Sequence, residues 1–235
     1  MIISILYILS VACIFGGFLC YRKSSSKLEL FCWIPVTILS VICFDALIAG
    51  ILNLFHVPIH IPVITVFNFA AAVFLLYLIL RKKQFQRYTC NLLDFIFAIV
   101  LFIIVLACAN AQFGTDFTIR YLTIDPANHL SMAMDTVNTG VISNMFFTQF
   151  NNAMFIEAFS SFVPSSFYYY QLFIIADLCM LYLSGLMFYA LIKKLFHNRF
   201  LQVTGIVFTF LYMLGYPLNN TLYGFTYLGV GVTLT

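Results

Sequence analysis

Long apolar runs return along this chain at a spacing that a water-soluble fold cannot absorb. A helix needs about 20 apolar residues to cross the hydrocarbon core of a bilayer. Runs of that kind are read at Ile2–Tyr21, Leu30–Leu54, 62–80, 92–111, 167–192 and 200–216. A seventh apolar segment starts at Leu222 and runs to Thr235. It is too short to span alone, so residues 1–235 are expected to be a single membrane domain, the N-terminal part of a longer chain. Composition agrees: 63% of the residues are hydrophobic and 8% are charged, against roughly 25% charged in a soluble domain. The expected fold class is all-α, a polytopic transmembrane helix bundle.

The basic residues set the orientation. Ten of the eleven Lys and Arg side chains fall in three loops: Arg22, Lys23 and Lys27; Arg81, Lys82, Lys83 and Arg87; Lys193, Lys194 and Arg199. These loops follow the first, third and fifth runs, and the loops between them are almost free of positive charge. Cytoplasmic loops carry the excess of Lys and Arg. The pattern therefore predicts an integral protein of the cell membrane with its N-terminus outside. The first run lacks the basic segment that precedes a signal peptide's apolar core, so it reads as a retained span. With the cations placed at span ends, no nucleic-acid partner is expected. The sequon at Asn219 falls on the outer side.

The outer side also receives the most polar stretch of the chain. "TIRYLTIDPANHLSMAMDTVNTG" occupies 118–140 and carries Arg120, Asp125, His129 and Asp135. It lies in an outer loop of 112–166 that is expected to hold amphipathic interfacial helices. Asp125 suits a helix N-cap, Pro126 the first helical position and Gly140 the stop. Leu130, Met134 and Val137 recur at helical spacing and form one apolar stripe. The spacing predicts a helix over 126–139 lying on the membrane surface. Asp125 and His129 are one turn apart and share a face. Both also suit plain structural roles, Asp125 as a cap and His129 at the lipid–water border. The stretch 141–166 mixes aromatics with Asn, Gln and Glu157, which predicts one or two interfacial helices or a re-entrant piece.

A span, an outer loop opening on an acid, amphipathic surface helices and then the next span: this order resembles the first outer loop of the GT-C superfamily of integral-membrane glycosyltransferases. "DPANH" (Asp125–His129) is similar to the Asp-x-x-x-His of many bacterial members. The resemblance covers about 92–192. It departs from the usual pattern in having three spans before the motif-bearing one. The resemblance implies transfer of a sugar from a polyprenyl-phosphate carrier to an acceptor on the outer face, within the cell envelope. It implies that Asp125 acts as general base or orients the acceptor hydroxyl, with His129 beside it. The chemistry needs a base for the incoming hydroxyl and positive charge for the departing phosphate. Arg120, the one basic side chain expected outside, is the phosphate partner, with lipid headgroup anchoring as its other reading. Asp116 and Glu157 are the further candidates, as a second acid or as metal ligands. No cofactor is expected, although a divalent metal is compatible with that pair. Membrane lipid and the polyprenyl-phosphate donor are the expected partners.

Asp45 and Asp177 sit inside the second and fifth runs. Carboxylates at that depth are costly and usually face a bundle interior or a water-filled cavity. They support a rival reading, an ion- or proton-coupled transporter; a non-catalytic membrane subunit is a third. Broken helices and repeated halves, the marks of many transporters, are not evident in the sequence. Asp94 reads as a carboxylate complementing a helix N-terminus. The seven cysteines include no CxxC pair and read as single thiols among the helices.

Overall fold

The computed structural model describes residues 1–21, 27–82, 85–115, 117, 125–142, 146–164 and 169–215, apart from the side chains of 82, 125, 126 and 146–148. Asp116, Arg120, the sequon at Asn219 and the apolar segment from Leu222 lie outside the described residues. The architecture is helical. In chain order the helices are α1 (Ile2–Tyr21), α2 (Leu30–Leu54), α3 (Ile61–Lys82), α4 (Leu92–Phe113), α5 (Asp125–Thr139), α6 (Phe146–Phe159), α7 (Tyr169–Leu195) and α8 (Arg199–Leu214). Two strands of two residues each, β1 (Leu28–Glu29) and β2 (Tyr88–Thr89), pair in parallel as the one exception to an all-helical fold among the described residues.

Five helices (α1, α2, α3, α4 and α7) are long and apolar enough to cross a membrane. At 16 residues, α8 is shorter than the run read at 200–216. The outward faces of α1, α3, α4 and α8 expose large apolar side chains, among them Leu9, Phe74, Ile99 and Phe208. A soluble monomer rarely exposes contiguous apolar surface on this scale. The center of the bundle is α7, which buries 72% of its apolar stretch against 17% for α1. Packing around it is close where glycine permits. A Cβ at Gly185 would lie 2.7 Å from the Leu101 side chain of α4, so the two backbones approach in a way a larger residue would block.

Long helices joined by short connections give the bundle two distinct ends. One collects described basic residues between the helices, Lys27, Arg87 and the turn from Lys193 to Arg199 among them. There β1 and β2 tie the entries to α2 and α4 together, and Tyr88 donates its hydroxyl to Leu19 O of α1 at 2.8 Å. Lys193, at the end of α7, bonds Glu29 at 2.6 Å and Asp94 at 2.8 Å. The Tyr189 hydroxyl donates to the same Asp94 oxygen. Asp94, buried to 1% exposure, is thus a link between α4 and α7 beyond its place in the first turn of α4.

The opposite end is closed by α5 and α6. The sequence-derived helix over 126–139 is present as α5, beginning at Asp125. Its stripe of Leu130, Met134 and Val137 packs with Ala133 against Ile156 of α6 and Leu172 and Phe173 of α7, so it faces the bundle. In α6, helical packing also buries polar groups against α5 and α7. Gln149 donates to Met132 O and Thr136 Oγ1 of α5, both at 2.7 Å, and Asn152 donates to Asp177 of α7 at 3.1 Å.

Candidate functional site

The candidate site is the α5–α6 end together with the cavity beneath it. Its frame is a polar clasp. Asn53, near the end of α2, donates to Ile142 O at 3.1 Å and accepts from Ile142 N–H at 3.3 Å. Gly140 stops α5 with φ +70° and accepts from Ile59 N–H at 2.8 Å. A Cβ there would lie 2.8 Å from the Ile59 backbone nitrogen, so both the left-handed conformation and the space call for glycine. The turn before α3 and the end of α5 are consequently fixed to each other.

Glu157 of α6 completes this frame. Its Oε1 accepts from the Ile61 amide, in the first turn of α3, at 3.2 Å. Its Oε2 lies 3.6 Å from His60 Nδ1, an ion pair when the imidazole is protonated. A carboxylate at a helix N-terminus satisfies an amide that has no partner within the helix. Burial pushes the Glu157 carboxyl above its ordinary range, opposed by the Ile61 amide and by His60. Sequence reading marked Glu157 as a substrate or metal candidate; the structure gives it these protein partners, which spacing could not reveal because Ile61 is 96 residues away.

The other candidates divide by position. Asp125 opens α5, and His129, one turn on, is buried at 8% exposure. Asp116 and Arg120 are not described, but Phe117 between them is, and it lines the cavity. That cavity has a volume of about 730 Å³ and runs between α1, α2, α4, α6 and α7. Its walls are mainly apolar, with Phe102, Phe155 and Phe159 among them, and polar groups come from Tyr7, Asp45 and Asn151. Pockets of roughly 300–1,000 Å³, apolar with a few polar groups, are typical of small-molecule sites. Among the described residues no group of three or more His, Cys, Asp or Glu side chains is arranged to hold a metal ion.

Asp45 and Asp177 each have a carboxamide for company. Asn68 of α3 donates to Asp45 Oδ2 at 3.4 Å, and Asn152 serves Asp177 as described above. Sequence reading found both acids and neither partner. The chain matches no family model, no curated protein and no solved structure.

Proposed function

We propose that this protein is a membrane glycosyltransferase of GT-C type, moving a sugar from a polyprenyl-phosphate carrier to an acceptor. In this reading the five long helices and α8 span the cell membrane with the basic end in the cytoplasm. The N-terminus, α5 and α6 then lie at the outer face. The separation of the two ends supports this orientation, because Lys193, Lys194, Arg199, Arg81 and Arg87 belong to the loops and helix ends of one side.

One observation carries the reading: a short helix opening on Asp125 packs at the end of a bundle that also holds a large apolar cavity. An isoprenoid chain needs apolar walls, and its phosphate needs a polar, cationic mouth. Phe117, three residues before Arg120 in the sequence, lines the cavity. Asp125 is the base for the acceptor hydroxyl, His129 steadies the carboxylate or the phosphate, and Arg120 offsets the charge of the departing phosphate. Glu157 contributes by holding α6 to α3, with Asp116 the remaining acidic candidate.

The test is sugar transfer in sealed right-side-out membrane vesicles carrying the protein, with Asp125→Asn as the variant. Asparagine caps a helix about as well as aspartate, so α5 is retained. It takes no proton from a hydroxyl, so the rate should fall roughly 10²–10⁴-fold. Asp125→Ala should lose the cap as well, about 1 kcal/mol of stability. Transfer by Asp125→Asn at the wild-type rate, or transfer confined to inverted vesicles, would remove this reading.

A further inference from the structure

The Asp45–Asn68 pair contains an inconsistency that one proton resolves. Both side chains are buried, Asp45 on α2 at 4% exposure and Asn68 on α3 at 0%. One hydrogen bond joins them, from Asn68 Nδ2 to Asp45 Oδ2, at 3.4 Å. The remaining oxygen of each, Asp45 Oδ1 and Asn68 Oδ1, has no hydrogen-bond partner among the described residues and is closed off from solvent. Two adjacent buried side chains each leave an acceptor unused. Buried acceptors are normally satisfied, and an isolated buried carboxylate is costlier still. No cationic side chain pairs with Asp45 among the described residues.

The groups facing Asp45 supply no remedy as ionised partners. On α1, Tyr7 directs its hydroxyl toward Asp45. On α6, Glu157 is a second acid whose charge acts on the same tyrosine, with His60 beyond it as its own partner. Across the cavity, α7 brings Cys179 to the shared wall. All but His60 are neutral or acidic. A carboxylic acid, by contrast, matches a carboxamide. Its O–H donates to the amide oxygen while the amide N–H donates to the acid's carbonyl, and both unused acceptors are then engaged. If the amide is turned over, its oxygen faces the carboxyl directly, and a proton between them is needed all the more.

We infer that Asp45 and Asn68 form a proton-binding site inside the bundle, in which Asp45 holds a proton at neutral pH and shares it with the Asn68 carboxamide. The ligand is a proton and not a metal ion or water, because both oxygens are closed to larger species. Asp45 also contributes to the cavity wall. Bound, the proton joins α2 to α3 through a neutral pair. The site stands independently of sugar transfer and uses none of the residues assigned to it.

The test is infrared spectroscopy of the reconstituted protein at neutral pH, as a wild-type minus Asp45→Asn difference spectrum. A carbonyl stretch of a protonated carboxylic acid, moving to lower frequency in heavy water, is expected. In Asn68→Leu that band should move to higher frequency as its hydrogen bonds are lost. Carboxylate stretches in place of the acid band would overturn the proposal, and so would a carboxylate signal that responds to sodium, which would assign a metal ion. Should Asp45→Asn fail to fold, the wild-type minus Asn68→Leu spectrum serves instead. It should show a shifted acid band, and a flat acid region would count against the site.

Discussion

Replacing Gly140 by alanine tests whether the α5–α6 end is one rigid frame. Gly140 has φ +70°, and its carbonyl accepts the Ile59 amide at 2.8 Å. An L-residue in the left-handed region costs roughly 1–2 kcal/mol. The added methyl would also meet the Ile59 backbone nitrogen at 2.8 Å, Pro58 Cβ at 2.9 Å and His60 Nε2 at 3.0 Å. The first of these is main chain and cannot rotate away, and overpacking of this kind costs typically 1–3 kcal/mol. Together the loss should be about 2–5 kcal/mol. Gly16→Ala is the control, since a Cβ there has nothing within 4 Å; inside α1 it should be neutral or stabilising, by up to about 1 kcal/mol. Equilibrium unfolding in a lipid-like detergent gives both values. Hydrogen exchange at the Ile59 amide should quicken in Gly140→Ala alone. If both variants unfold alike, the turn before α3 is not clamped to α5 and the frame argument fails.

Two further perturbations probe the ends of the bundle. Lys193→Met should leave Asp94 buried without its cation and cost roughly 3–5 kcal/mol, most of it recovered in the double variant with Asp94→Asn; a double-variant loss equal to the sum of the Lys193→Met and Asp94→Asn losses would show that the pair carries no coupling. Glu157 should give the α5–α6 end a pH dependence. Its folded pKa lies above the unfolded one, so the folded state holds the proton more tightly. Its contribution is full below the unfolded glutamate range and is lost as pH rises through the folded pKa. Unfolding followed from the ordinary glutamate range upward should show this decline, and Glu157→Gln should flatten it; an unchanged profile in the variant would assign the dependence to another group.

What the sequence made legible follows from the range of the forces involved. The limits of α1 and α2 could be read directly because an apolar run ends where polar or basic residues begin, and α5 because its cap, stripe and stop all lie within 16 residues. The polar side chains were harder. Asp94 read as complement to a helix N-terminus, yet Lys193, its main partner, is 99 residues away. Glu157 read as a candidate ligand until Ile61 and His60 came beside it. His129 read as a partner of Asp125, with a place at the lipid–water border as its other reading; its burial, in a helix packed onto α6 and α7, had no signal in the sequence. In an apolar bundle, hydropathy fixes where helices run but leaves open which of the few polar groups meet. Each such meeting then counts heavily, since an unmatched polar atom has no water to turn to. The Asn partners of Asp45 and Asp177 show the consequence. Neither carboxamide carries a sequence signature, and both sit on helices whose apolar runs or aromatics dominate the reading. The chemistry of such a chain is therefore decided by a small number of long-range pairs, and the places where a pair remains incomplete, as at Asp45 and Asn68, are where a ligand as small as a proton has room to act.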